Sequence, residues 1–251
     1  MEALLDLPEE QLRDLRLLDE RFPDVRVELG MARAEVAARA SIRAYADQLV
    51  AIDATLREAR EFPQVFVGID QAGLPDAAEF AERAAIADLA MRLALSEQTI
   101  RAQAYESAVL MEQAPKLWLA FRDGDVSIPN ARAVAELIAT IPAETCAAFE
   151  DAVLEAAGRL APARFRTRAR AVRERLHTEA LAERHRRSAE DRRVHFEADL
   201  DGMAWLHLYL PADSARRAIA HLEHVAKSLV TASDESRTLS QLRADAAADA
   251  L

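Results

Sequence analysis

From Met31 to Phe62 the chain runs thirty-two residues without a glycine or a proline, and Val36, Ala40, Tyr45, Leu49, Ile52 and Leu56 recur through it on one helical stripe. No strand is that long. A helix of this length extends about 48 Å and needs several partners along one side to bury its stripe. The segment therefore predicts a spine in a helical bundle. Six glycines in 251 residues and 5% aromatics, against an abundance of Ala, Leu, Arg and Glu, disfavour sandwiches and barrels. The expected fold class is mainly α: a multi-helix bundle with a helix-turn-helix-like centre and one C-terminal β-hairpin.

Breaker residues divide this bundle. A short amphipathic helix is expected over Leu4–Glu20, stopped by Arg21-Phe22-Pro23-Asp24. The loop Pro63–Pro75, with Gly68 and Gly73, marks off a first region at 1–75. A second region, 76–158, holds a helix from Asp76 to Leu95 and one capped by Ser96 that runs past Ile100, Ala104, Ala108 and Met111. It continues with a short helix carrying Leu117, Trp118 and Phe121 into the core, and a left-handed stop at Asp123-Gly124-Asp125. Ser127 then caps a helix with Pro129 in its first turn.

In the third region, 159–251, a helix from Pro162 to about Arg187 keeps an apolar line through Phe165, Ala169, Val172, Leu176 and Ala180. The period then changes to two. Val194–Leu200 and Met203–Leu210 flank Asp201-Gly202, a hairpin turn signal. A two-residue loop would pair Leu200 with Met203, Phe196 with His207 and Ala198 with Trp205. Pro211 opens a closing helix with Ala215, Ile219, Leu222, Val225 and Leu229.

The net charge of −11 opposes binding of nucleic acid by the surface as a whole. It conceals a local reversal. Between Arg159 and Arg193 there are 12 Arg and 5 acids, a net of +7 that leaves −18 for the remainder. Arg166, Arg170 and Arg173 share one side of their helix. Arginine rather than lysine suits bidentate phosphate contacts and ion pairs equally, so both remain open.

The lone cysteine, Cys146, sits in a helical pattern beside Ala147, Ala148 and Phe149 and is expected as a buried thiol. The N-terminus lacks a basic segment ahead of an apolar one, and no apolar run approaches about 18 residues. A soluble, cytoplasmic protein with no membrane partner is expected. His221 and His224 are three apart on one helix and His195 and His207 fall on neighbouring strands, but no Cys pair or acidic ligand set accompanies them. Neither a metal nor another cofactor is expected. With no phosphate loop, nucleophile elbow or distinctive carboxylate pair, the reading is a protein that is not an enzyme by itself.

The strongest functional signal lies between Ala84 and Ile138. An apolar helix (Ile86, Leu89, Ala90, Leu93) stops at Leu95, Ser96 caps the next, and Gln98, Thr99, Arg101 and Gln103 occupy that helix's first turns. Placed in a major groove, such side chains would bond base edges and phosphates. Two packed helices joined by a tight turn share the pattern.

Several segments in order resemble the actinobacterial family catalogued as domain of unknown function 222. They are Arg33-Ala34-Glu35, Leu93-Ala94-Leu95-Ser96, Gly124-Asp125-Val126-Ser127 before Ala131-Arg132, Ile141-Pro142, Arg192-Arg193-Val194, Asp201-Gly202-Met203-Ala204 and Gln241-Leu242-Arg243-Ala244-Asp245. The resemblance spans roughly Ala32 to Leu251. It implies relatives in which an HNH nuclease domain follows the Arg-Ala-Asp element. These 251 residues hold neither the paired His nor the Cys-x-x-Cys frame of such a nuclease, so no catalytic residue carries over. The stretch Leu93–Leu137 also resembles the DNA-binding core of ParB-type partition proteins, a capped reading helix followed by a Gly-x-x-Ser turn and an Ala-Arg helix.

Together these readings predict a non-catalytic module that binds double-stranded DNA and positions an HNH nuclease carried in cis by relatives. Gln98, Thr99, Arg101 and Gln103 would contact the groove, and Arg166, Arg170 and Arg173 the phosphates. The alternative is a protein-interaction or homodimerisation scaffold, motivated by the acidic surplus and by a second strand apolar on both faces.

Overall fold

The computed structural model describes residues 23–177, 179, 181–230 and 236–250. Among them the order is α1 (Pro23–Glu61), α2 (Ala77–Leu93), α3 (Glu97–Gln113), α4 (Pro115–Arg122), α5 (Ile128–Ile138), α6 (Cys146–Arg159), α7 (Pro162–Leu176), α8 (Leu181–Glu190), β1 (Arg193–Ala198), β2 (Ala204–Tyr209), α9 (Ala212–Val230) and α10 (Leu239–Ala250). The mainly α class with one late hairpin is the predicted one. No described helix is long and apolar enough to cross a membrane. The helix expected at Leu4–Glu20 lies outside the described residues, as does Ala180. The chain divides into two compact units at His177 and Thr178. The connections near residues 75 and 159 both lie inside the first.

In the first unit α1 begins eight residues before the predicted spine. Pro23 fits a first turn, where its missing N–H would have no intrahelical partner and its φ is already helical. The C-terminal half of α1 buries Ala46, Leu49, Ile52, Leu56 and Ala59 against α2, α3 and α4. One core gathers Leu49, Leu110, Leu117, Phe121, Ile138, Phe149 and Phe165, together with the predicted buried thiol of Cys146. A smaller one gathers Ile52, Leu56, Ala85, Ile86 and Ile100.

Two corners of like construction aim the helices. After α2, Ala94 takes the left-handed conformation (φ 53°) and the Leu95 N–H reaches back to the Ala90 carbonyl at 3.0 Å. After α4, Gly124 does the same (φ 85°) and the Asp125 N–H reaches the Ala120 carbonyl at 2.9 Å. Both are Schellman stops, each followed shortly by a serine at the next N-cap. The second corner needs glycine, because a Cβ there would lie 3.1 Å from the Arg39 carbonyl oxygen.

Buried polar side chains fix the packing. The Asn130 amide donates to the carbonyls of Ala157 and Leu160 at 2.8 and 2.9 Å, satisfying acceptors that the end of α6 leaves open. The buried Glu150 carboxylate accepts the Leu117 N–H at 2.8 Å in the first turn of α4. The predicted helix Pro162–Arg187 is corrected: α7 ends at Leu176, and His177 is extended (ψ 120°). The helix ends at a tertiary contact, the His177 ring donating from Nε2 to the Thr140 carbonyl 2.9 Å away.

In the second unit the hairpin register is one residue from the predicted one. Phe196 opposes Leu206, His195 opposes His207 and Glu197 opposes Trp205. The turn itself is as expected, with Asp201 and Gly202 both at positive φ and the Met203 N–H on the Leu200 carbonyl at 3.1 Å. The slip comes from Asp199. Its carboxylate takes the Leu200 N–H at 2.8 Å, so the Met203 carbonyl accepts from the Asp199 N–H instead. Asp199 and Leu200 thus face one residue, a bulge, and every side chain after it changes face. One face of the hairpin becomes Val194, Phe196, Ala198, Ala204, Leu206 and Leu208, the other Arg193, His195, Glu197, Trp205, His207 and Tyr209. Elsewhere in this unit α9 packs with α10, burying Ala226, Leu242 and Ala246.

Candidate nucleic-acid interface

The helix-turn-helix-like corner is locally built as the sequence requires. Ser96 is extended, its Oγ accepts the Thr99 N–H at 3.0 Å, and the two hydroxyls lie 2.8 Å apart. Gln98 is exposed beside this cap. The neighbouring Glu97 carboxylate holds Arg101 at 2.9 Å. Thr99 is therefore spent on the cap, Arg101 on an ion pair, and the turn presents a carboxylate next to its one uncommitted amide.

Gln103 is corrected outright. It is 7% exposed, and its amide oxygen accepts from Gln48 of α1 at 3.1 Å. The physical reason is the position of α3, which packs on α1, α2, α4 and α5 and buries Ile100, Gln103, Glu106, Ser107, Val109 and Leu110. A helix enclosed on so many sides leaves only a narrow outer strip.

Beneath that strip lies a polar cluster that the sequence reading missed. Arg132 of α5 donates to the Tyr45 hydroxyl at 2.9 Å and reaches Glu106 at 3.4 Å, and the Tyr45 hydroxyl donates to Glu106 at 3.3 Å. Burial raises the Glu106 carboxyl above its ordinary range, against the opposing pull of Arg132. Burial, with Glu106 next, also raises Tyr45. The available signal was the presence of Gln103, Glu106 and Ser107 at helical spacing between Ile100 and Leu110, polar residues on an otherwise apolar stripe.

Outside the corner, a cleft of about 560 Å³ between α1, α2 and α3 contains Arg57, Arg60 and Arg101. Each has its own acid. Arg57 pairs with Asp53, Arg60 grips Glu82 in a two-pronged contact at 2.5 and 2.7 Å, and Arg101 pairs with Glu97. The Arg60 hydrogen bond holds Glu82 below its ordinary carboxylate range. The cleft carries little uncompensated positive charge.

Helix α7 differs. It carries six arginines against Glu174 alone, and its buried line of Phe165, Ala169 and Val172 separates two basic flanks. On the flank toward α5, Arg166 pairs with Glu136 at 2.8 Å. Arg173, with 19% of its side chain exposed, donates to Thr140 at 2.7 Å and to Glu174 at 2.5 Å. Of the three arginines expected to contact phosphates, Arg166 and Arg173 thus have internal partners, and Arg170 has none among the described residues. On the other flank Arg164, Arg168 and Arg175 are exposed and, like Arg170, have no ion-pair or hydrogen-bond partner among the described residues. The sequence count of arginines pointed to this helix but could not say which side was already neutralised. Among the described residues, no group of three His, Cys, Asp or Glu is arranged to hold a metal.

These features define a mainly α protein whose first unit displays, among the described residues, an arginine face without acid partners on α7, and whose second unit carries the hairpin. A family model described as a domain of unknown function, DUF222, matches residues 34–251, and the chain belongs to that family. No curated protein and no solved structure matches the chain.

Proposed function

We propose that this protein is a non-catalytic nucleic-acid-holding module that grips the phosphate backbone of duplex DNA along α7, and so positions a catalytic domain acting on the same duplex. The observation that carries this reading is the set Arg164, Arg168, Arg170 and Arg175, exposed on a helix with one acid and without an ion-pair or hydrogen-bond partner among the described residues. Arginines whose backbones lie about 6 Å and 10 Å apart along a helix axis can reach successive charges of a regularly spaced polyanion, and their guanidinium forks match phosphate oxygens. The HNH nuclease implied by the resemblance to relatives is the natural candidate for the catalytic domain.

Recognition in this reading is of backbone rather than sequence. Thr99 and Arg101 are occupied, Gln103 is buried, and Gln98 alone offers a free amide beside the Glu97 carboxylate. Four phosphate contacts correspond to a log–log salt slope of about −3.5.

The test is fluorescence anisotropy of a random-sequence duplex at low salt, with the wild type and an Arg164→Glu, Arg168→Glu, Arg175→Glu variant. The wild type is expected to bind and the variant to lose at least about tenfold in affinity while keeping its circular dichroism. No binding by the wild type, or equal binding by both, overturns the proposal.

A further inference from the structure

Where α5 and α7 begin, the two helix starts line one cleft of about 560 Å³, together with Arg39 of α1, the Gly124 corner and Gly158 near the end of α6. Neither start is capped by a side chain. Ser127 stands at the N-cap of α5 without a capping bond, Pro129 in the first turn has no N–H, and the Ile128 N–H has no intrahelical acceptor. At α7 the N-cap is Ala161, whose methyl group cannot accept, and the Ala163 and Arg164 N–H groups precede the Phe165 N–H that bonds the Ala161 carbonyl at 2.9 Å. Two positive helix ends therefore share one cleft.

Its wall also holds two buried polar atoms without a hydrogen-bond partner among the described residues, the Ser127 hydroxyl and the Asn130 side-chain oxygen. Asn130 is 1% exposed, and its orientation is fixed because its amide nitrogen donates to the Ala157 and Leu160 carbonyls. Its oxygen can only accept. A ligand for this cleft must thus bring negative charge for the helix ends and a donor for Asn130. An ammonium group supplies the donor but is repelled by both helix ends. Sulfate and phosphodiesters carry the charge without a proton to donate. A hydrogen phosphate group carries both.

From this geometry we infer that the cleft between the starts of α5 and α7 is a binding site for a hydrogen phosphate group, as inorganic phosphate or as the singly charged form of a phosphomonoester. The Ser127 hydroxyl and the open helix N–H groups donate to its oxygens, and the Asn130 oxygen accepts from its P–OH. Arg39, with 58% of its side chain exposed and paired with Asp125 at 3.5 Å, stands at the mouth. The rim also carries Glu35, Asp125 and Arg159, the last held by Glu155 at 2.7 Å, and the acids keep the affinity modest. The site needs no duplex and stands independently of the α7 reading.

Amide NMR of the full chain, titrated with inorganic phosphate at constant ionic strength, tests this directly. The Ile128, Asn130, Ala163 and Arg164 signals are expected to shift with a Kd of about 0.1–1 mM, and sulfate to bind at least about tenfold more weakly. Ser127→Ala should weaken phosphate binding by about tenfold and leave the melting temperature unchanged, because the hydroxyl makes no capping bond. Arg39→Gln should weaken it by about threefold, and Arg57→Gln, in the cleft between α1, α2 and α3, should not alter it. The source of the phosphate is read at about pH 6, where roughly half of a monoester is singly charged, with a short single-stranded oligonucleotide bearing a terminal phosphate and its dephosphorylated twin. Preference for the phosphorylated strand assigns the site to a strand end, and equal binding of the twins beside retained phosphate binding assigns it to a free phosphate compound. Amide signals that do not move up to about 10 mM phosphate, sulfate bound as tightly as phosphate, or a folded Ser127→Ala protein that binds as the wild type does overturns the inference.

Discussion

The two units use the same amphipathic principle and reach different ends. In the first, the stripe of every helix from α2 to α7 contributes side chains to a buried core, as with Ile100, Phe121, Ile138, Phe149 and Phe165. In the second, Ala226, Leu242 and Ala246 are the buried apolar residues among those described, while Phe196, Trp205 and Leu208 stay largely exposed. Charges follow the same division of labour at finer scale. Many arginines of the first unit have an acid partner, among them Arg57, Arg60, Arg92, Arg101, Arg159 and Arg166, whereas Arg164, Arg168 and Arg175 on the outer flank of α7 have none among the described residues. Residues left over after such pairing and packing are where a partner acts, and both proposals rest on such remainders.

The comparison is broken most readily by truncating one phenylalanine in each unit. Phe149→Ala is expected to destabilise the first unit by about 3–5 kcal/mol, since the ring is fully buried and leaves a cavity. Phe196→Ala should change unfolding by no more than about 0.5 kcal/mol, since its ring is largely exposed. Similar costs in denaturant melts would mean that Phe196 is covered in solution.

A smaller effect tests the corner between α2 and α3. Ser96→Ala removes the acceptor of the Thr99 N–H and should cost about 1 kcal/mol, with no loss of duplex binding. A loss of binding with stability unchanged would instead restore the corner to the interface.

The smallest effect concerns Glu106. Because burial raises its carboxyl, the folded protein holds a proton over a pH window where the unfolded chain has released it. Stability is therefore highest on the acid side of that window and falls as pH rises through the raised value. Relative to a Glu106→Gln variant, the wild type should lose stability between mildly acidic and neutral pH. A difference that is flat with pH would mean that Arg132 fully offsets the burial.

How far the sequence was legible follows from the range of each interaction. Helices, breakers and caps are local, so the spine, the Ser96 cap, the Gly124 stop and the Cys146 thiol could be read directly. The burial of Gln103 could not, because it depends on the helices that enclose α3, with its amide partner Gln48 fifty-five residues away. The arginine count identified α7, but Arg166 is paired with Glu136 and Arg173 is held by the Thr140 hydroxyl, both from elsewhere in the fold, which a helical wheel does not reveal. The hairpin was misread by one residue for a subtler reason. Asp201-Gly202 is the turn, yet the Asp199 carboxylate competes for the Leu200 N–H, and that bond accompanies a one-residue shift that changes which face of β2 lies alongside each face of β1. The α7–α8 break likewise depends on His177 meeting Thr140.

The central claim is that α7 has an inner flank whose Arg166 and Arg173 are already engaged and an outer flank whose arginines are available. Its most direct test is the salt dependence of duplex binding for two matched charge-removing variants, Arg164→Gln, Arg168→Gln, Arg175→Gln on the outer flank and Arg166→Gln, Arg173→Gln on the inner. The outer variant should flatten the log–log slope from about −3.5 toward −1, and the inner variant should leave it within about one unit of wild type. Equal slopes for the two variants, or a greater loss from the inner one, would contradict the account.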